Sequence, residues 1–306
     1  MIRRARAPLP AAPAQRGVAS VLVLWLMALL TILLGAFALL TRTEGMQARW
    51  LYDATVARYA AEAGIHESVL FLSVPDPMLR WIPDGREYQI AFDEARLTIR
   101  ITDESGLVDL NTADMSMLTE LFRGAGVEED QAVALAAAIQ DWRDADDLVS
   151  PNGAEEAEYD AEGYAWGPKN APFDMVSELL QVLGMTPELM QRIEPAVTVY
   201  GGQSRPNLAF APLEVLLTIP GMTPELAQQI IDARHAWDPN SGMPAPMLPD
   251  GTALMAQGGT GTYSIESRAT LPNGTWTQVD ATIRLGGGGV SGMAFTVLRW
   301  QDGGSF

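Results

Sequence analysis

The 23 residues from Val18 to Leu40, VASVLVLWLMALLTILLGAFALL, contain no charged side chain, and they constrain this chain more than any other feature. As a helix, a run of that length spans a hydrocarbon core of about 30 Å. Ahead of it, MIRRARAPLPAAPAQRG carries Arg3, Arg4, Arg6 and Arg16 and no acid. Positive charge on that flank predicts a cytoplasmic N-terminus, with the remainder of the chain on the far side of the membrane. A cleaved secretory signal fits less well, because its apolar region usually runs about 7–15 residues and ends in an A-x-A-like site. Here TRTEGMQARW follows instead.

The remainder is acidic. Against 20 Lys and Arg stand 38 Asp and Glu, a net charge of -18. Such a surface repels phosphate backbones and favours basic partners or divalent cations, so nucleic acid is not expected as a partner. The absence of cysteine excludes disulfides, thiolate metal sites and a cysteine nucleophile. His66 and His235 are the two histidines, and no Ser–His–Asp, zinc or phosphate-loop pattern accompanies them, so no catalytic residue is assigned.

The helical reading continues from Thr43 to about Leu72, until the Pro75–Pro77 and Pro83–Gly85 segments stop it. Tyr88–Phe92 and Leu97–Ile101 alternate as strands across a turn at Asp93-Glu94-Ala95. From Asn111 the pattern is helical, and it returns to strands at Thr262–Leu271, Thr275–Leu285 and Ala294–Trp300, with Asn273-Gly274 as a hairpin turn. The expected fold is α+β: a long N-terminal transmembrane and stalk helix, then a small antiparallel sheet split by a large inserted helical domain. The divisions expected are a leader at 1–17, the helix at 18–74, the first part of the sheet at 75–110 and the helical insert at 111–200. A second helical hairpin and the last strands occupy 201–306.

A short motif repeats within the helical region: Gly126-Val127-Glu128-Glu129, Gly184-Met185-Thr186-Pro187-Glu188 and Gly221-Met222-Thr223-Pro224-Glu225. Thr suits a helix N-cap, Pro the first helical position, and Gly the left-handed close of the preceding helix. These read as helix–hairpin–helix-like units. Such units can bind DNA backbones, which leaves a membrane-tethered DNA-binding protein as the alternative function, although the hairpins present Glu128, Glu129, Asp130, Glu188 and Glu225. Met117, Leu118, Leu121 and Phe122 read as helix core. Between the first two units lies Asp141–Glu162, with nine carboxylates, one Arg and a Pro151-Asn152-Gly153 turn. Carboxylates, Asn and carbonyls at loop spacing are hard-oxygen ligands suited to calcium, though no EF-hand register is present. A solvated acidic loop is the other reading of the same spacing.

The Arg16-Gly17-Val18 junction resembles a type IV prepilin signal, which implies cleavage after Gly17 by a prepilin peptidase and methylation of Val18. That signal usually has Phe or Met after the cut and Glu at the fifth mature position, where this chain has Val18 and Leu22. A more specific resemblance runs through most of the chain. Val108–Ala113, Asp141–Asp147, Pro151–Glu155 with Tyr159, Lys169–Asp174 and the block from Asn207 to Gly221 resemble the general secretion pathway protein K family of type II secretion systems. The resemblance implies a pseudopilin sheet with a helical insertion, a calcium-binding acidic loop and no fifth-position Glu, which makes Leu22 a supporting feature. It also implies a tip subunit of the periplasmic pseudopilus, anchored in the inner membrane and partnered by the I and J minor pseudopilins. Asp144, Asp146, Asn152 and Glu155 are the expected calcium ligands.

Overall fold

The computed structural model describes residues 18–76, 78–238, 241–255, 259–286 and 294–305. The Gly17 side of the expected cleavage site lies outside them. Contacts divide the chain into two compact units, Met1–Asp53 and Ala54–Phe306. Helix α1 spans Val18–Ser73. It is long and apolar enough to cross a membrane, and none of its apolar span is buried within the protein. The hydroxyls of Thr31 and Thr41 donate to carbonyls one turn back, which removes the cost of polar groups in an apolar segment.

The second unit begins inside α1. There the small residues Ala57, Ala60 and Ala61, followed by Ile65, Val69 and Leu72, recur at helical spacing and are buried. They lie on a five-stranded antiparallel sheet of order β1-β2-β5-β6-β7. Its strands are β1 (Asp84–Phe92), β2 (Ala95–Asp103), β5 (Thr262–Thr270), β6 (Trp276–Leu285) and β7 (Phe295–Ser305). Leu97, Ile99 and Ile101 of β2 and Ile265 and Ala269 of β5 point at the helix. Each large aliphatic buried there is worth about 1.5–3 kcal/mol in removal from water. Ala95, expected in the first turn, instead pairs with Phe92, so the turn is only Asp93-Glu94. Asp93 makes this tight connection possible by adopting a φ of 53°. Phe71, Trp81 and Tyr88 stack at the helix end, with ring centroids 4.4 and 4.3 Å apart.

The helical insert replaces the turn between β2 and β5, which pair directly from Arg96–Thr270 to Asp103–Tyr263. It contains β3 (Val108–Asp109), α2 (Met115–Gly124), α3 (Glu129–Arg143), α4 (Glu156–Ala161), α5 (Pro187–Ile193), β4 (Val197–Thr198), α6 (Leu213–Leu216) and α7 (Pro224–Ala236). One apolar core runs from Val108 to Leu254, so the segments on either side of residue 200 share it. Met117, Leu118, Leu121 and Phe122 lie in that core. Asp114 caps α2 by accepting from Met117 N, and Thr186 and Thr223 cap α5 and α7, as their sequences predict. Gly126, Gly184 and Gly221 take the left-handed φ values of 83°, 83° and 80° that these hairpins need. β3 and β4 pair in parallel and bring the start of the insert beside its later part.

Beneath the insert, the buried Asp84 carboxylate meets Arg86 at 2.7 Å and buried Arg234 at 3.7 Å. Arg234 also donates to the Ala211 and Asp84 carbonyls. His235 Nε2 lies 3.2 Å from Asp84 O, while His66 packs edge-on against Phe295. Both histidines therefore have packing roles.

Candidate functional site

The acidic stretch is only partly a loop. Its first residues, Asp141-Trp142-Arg143, close α3, and Glu156–Ala161 form α4. Local sequence explains both: Asp141 continues the apolar-periodic face ending at Trp142, and Glu155 precedes a run of helix formers with acids in the first turn. Asp141, a residue absent from the expected ligand set, organises the turn between them. Its side chain is fully buried and accepts from Ala154 N at 2.9 Å and from Ser150 N at 3.1 Å. A Cβ on Gly153 would meet Asp141 Oδ2 at 2.0 Å, so glycine is what lets the turn close over this carboxylate.

Asp144 follows at the α3 C-terminus and Glu155 at the α4 N-terminus. Both keep a buried oxygen without a hydrogen-bond partner, Asp144 Oδ1 and Glu155 Oε1. Asn170 Oδ1 is orphaned likewise, while its amide donates to Asp147 Oδ1 at 2.8 Å. Burial pushes the Glu155 carboxyl up to about 7, with further contributions from Asp141, Asp144, Asp147 and Asp146. Burial also raises Asp144, aided by Asp146 and Asp141. The one Arg of the stretch favours the Asp144 carboxylate from nearby, but its hydrogen bonds go to the carbonyls of Leu110 and Ala113. Asp146 is exposed and accepts from Leu148 N at 3.0 Å. Asn152 is exposed in the left-handed region, at φ 65°, where it makes the turn.

Thus the fold gathers Asp144, Glu155 and the charge of Asp146 around one turn, adds Asp141, Asp147 and Asn170, and leaves the Asn152 side chain outside in solvent. Asp141 was hidden by its place on the apolar face of α3. Asn170 could have been noticed from the Lys169–Asp174 block, which shares the resemblance. Among the described residues no three Asp, Glu or His side chains already converge in metal-holding geometry. The orphaned oxygens and the mutual repulsion suit a hard divalent cation, which Asp144 and Glu155 would hold.

Residues 99–202, the end of the sheet's second strand and most of the insert, match the family model for type II secretion system protein K. Over 206 residues the chain is 28% identical to the type II secretion system protein K of Klebsiella pneumoniae, covering 60% of this chain and 62% of that one. It is 32% identical over 128 residues to its counterpart from Pectobacterium carotovorum subsp. carotovorum, covering 40% and 39%. The aligned part therefore spans under two thirds of either relative's length. A solved structure, the GspK–GspI–GspJ complex from the type 2 secretion system of enterotoxigenic Escherichia coli, contains a chain of similar fold. That match has a TM-score of 0.54 and 17% identity, and covers 87% of this chain and 99% of that one. The acidic turn lies inside the matched region. The split sheet and its insert share the fold of that solved chain, in agreement with the α+β organisation expected from sequence.

Proposed function

We propose that the chain is a structural, non-enzymatic minor pseudopilin at the tip of a type II secretion pseudopilus. The observation that carries this is the protein K region inserted in an antiparallel sheet behind a long apolar helix. A prepilin peptidase removes residues 1–17 after Gly17 and the new terminus at Val18 is methylated. The apolar helix then stays in the inner membrane, with its N-terminal end cytoplasmic and the acidic bulk periplasmic. The partners are the I and J pseudopilins, consistent with the complex in which the similar structure was solved. Within the membrane, helix packing supplies the contact, because lipid gives no hydrophobic drive between helices. The DNA-binding alternative is disfavoured by the hairpins themselves, where Glu128, Glu129, Glu188 and Glu225 are exposed.

Calcium belongs to this reading as a structural ion. Asp144 and Glu155 would ligate it, joined by Asp146, by Asn152 through a movement of its turn, and by Asn170 Oδ1. The cation would neutralise the repulsion and tie α3 to α4, so that binding stabilises the fold. Two measurements test the proposal. Native mass spectrometry of the chain co-expressed with I and J should give one copy of it per assembly and an N-terminus at methylated Val18; a filament that repeats this chain, or a mature Met1, overturns the tip role. Calcium should raise the melting temperature of the full chain in micelles, and Asp144→Ala with Asp146→Ala should abolish that rise. Equal melting in calcium and chelator would leave only a solvated acidic turn.

A further inference from the structure

On the side of the sheet turned away from α1, the insert and the sheet face each other across a cleft of about 500 Å³. Its two walls differ in chemistry. The insert side is apolar, formed by Pro195, Tyr200, Leu213 and Ile231. The sheet side is polar, formed by Thr102, Ser264, Asp280 and Thr282, whose side chains alternate with the core residues of the same strands. Five carboxylates line the cleft, against three guanidinium groups and one imidazole. Two of the five are answered within the fold. Asp84 has Arg234 at 3.7 Å and His235 at 3.9 Å, and Glu266 has Arg100 at 3.1 Å. The third guanidinium, on exposed Arg299, acts on the buried Glu104, which accepts from the hydroxyls of Thr198 and Ser264. That leaves exposed Glu194 on the insert and half-buried Asp280 on the sheet. Among the described residues neither has a cationic partner, and Asp280 accepts from the neutral Gln278 at 2.8 Å.

We propose that this cleft takes an extended segment of a partner protein in which basic residues alternate with aliphatic ones. Successive side chains of an extended chain point to opposite sides. The aliphatic ones would meet Tyr200, Leu213 and Ile231, and the cationic ones would turn to the sheet side and Asp280. Glu194, exposed at the insert's edge, draws the basic segment in from solvent. Charge complementarity selects this occupant: carboxylates in the cleft exceed guanidiniums, and the chain's net charge of -18 attracts a basic segment and repels an acidic one. Burial raises the Glu104 carboxyl despite its two hydroxyl donors, as expected where the fold leaves a negative charge under-compensated. A free amine would satisfy the carboxylates but leave the apolar wall uncovered, which separates a small cation from a peptide by experiment.

The test is calorimetric titration of the full chain in neutral-detergent micelles with an end-blocked octapeptide of alternating Lys and Val. The matching peptide of Glu and Val, and free cadaverine, run as separate arms. The basic peptide should bind, more weakly as salt rises, and Glu194→Gln with Asp280→Asn should weaken it about tenfold without moving the urea midpoint. Glu188→Gln with Glu225→Gln removes the same charge from exposed positions of the insert outside the cleft, and should change the affinity less than about twofold. Should the cleft double variant fold poorly, Glu194→Gln alone, at an exposed side chain, should still weaken binding about threefold. No binding of the basic peptide, an affinity that the cleft substitutions leave unchanged, or one that the control pair lowers equally, overturns the proposal. So does cadaverine or the acidic peptide binding as tightly as the basic one.

Discussion

Gly64 sets the spacing between α1 and the sheet, and changing it tests how the stalk is fixed. A Cβ at this position would lie 2.1 Å from Ser267 Oγ, 3.2 Å from Ser267 Cβ and 3.3 Å from Ile99 Cδ1. Helix propensity alone would favour Gly64→Ala by about 1 kcal/mol. Overpacking a tight site costs about 1–3 kcal/mol, and both neighbours are fully buried on a sheet that cannot retreat. The balance predicts a net loss of about 1 kcal/mol. Ser267→Ala removes the closest atom, and also a buried hydroxyl that has no hydrogen-bond partner in the structure. Alone it should be nearly neutral. Combined with Gly64→Ala it should restore stability, giving a coupling of about 1 kcal/mol or more in the double-mutant cycle. Urea unfolding of the full chain in micelles, followed by tryptophan fluorescence, reads this as a lowered midpoint at unchanged slope. A Gly64→Ala chain at least as stable as the native one, or a Ser267→Ala background that gives no relief, would refute the reasoning.

Other predictions concern the insert and its joint with the sheet. Tyr159 is fully buried and its hydroxyl accepts from Leu183 N at 2.9 Å, so Tyr159→Phe should cost about 1–3 kcal/mol in urea unfolding by stranding that donor. Asp84→Ala should cost about 3–5 kcal/mol, because it leaves Arg234 charged and buried without its counter-ion; proteolysis of the insert would report the same loss. Glu155 titrates at about 7 in the fold against 4.5 ordinarily. The folded state holds that proton to higher pH, so in chelator the contribution of Glu155 to stability should be complete below 4.5 and be lost as pH rises to about 7. Glu155→Gln should flatten that fall, and the calcium-induced rise in melting temperature should be larger at alkaline than at acidic pH.

The large elements were legible because single physical signals fixed them. An uncharged run of membrane length, strand alternation at Leu97–Ile101 and Thr262–Leu271, and the Thr-Pro-Glu caps at Thr186 and Thr223 each have one strong explanation. The site was legible only in outline. Spacing gathered Asp144, Asp146 and Glu155, but a side chain's burial depends on which face of a helix it occupies. Asp141 thus passed as one more acid of a loop, although it is the buried acceptor around which the turn is built. Asn152 was read as a ligand from its residue type, yet its backbone conformation is the part of it the turn uses. Contacts made by distant segments, such as Asp84 with Arg234, leave no local periodicity at all.

How so large an insert leaves the sheet intact follows from the neck. Topologically it is the loop of a β2–β5 hairpin, and closure entropy grows only slowly with loop length. Length is therefore tolerable, whereas loose attachment would let the insert swing and fray the strands that bound it. The sequence closes the neck with polar groups. Buried Glu104, immediately after β2, receives hydrogen bonds from the hydroxyls of Thr198 on β4 and Ser264 on β5. Asp109 on β3 accepts from Gly202 N at 2.5 Å, and Leu110 N donates to Thr198 O at 2.9 Å. One carboxylate thus holds together the strand that enters the insert, the parallel pair inside it and the strand that leaves. Burial raises the Glu104 carboxyl despite these donors, so the clamp has an electrostatic cost that an apolar contact would avoid. What it gains is direction: hydroxyl-to-carboxylate bonds fix the angle at which the insert meets the sheet, which nondirectional packing would leave free to slide.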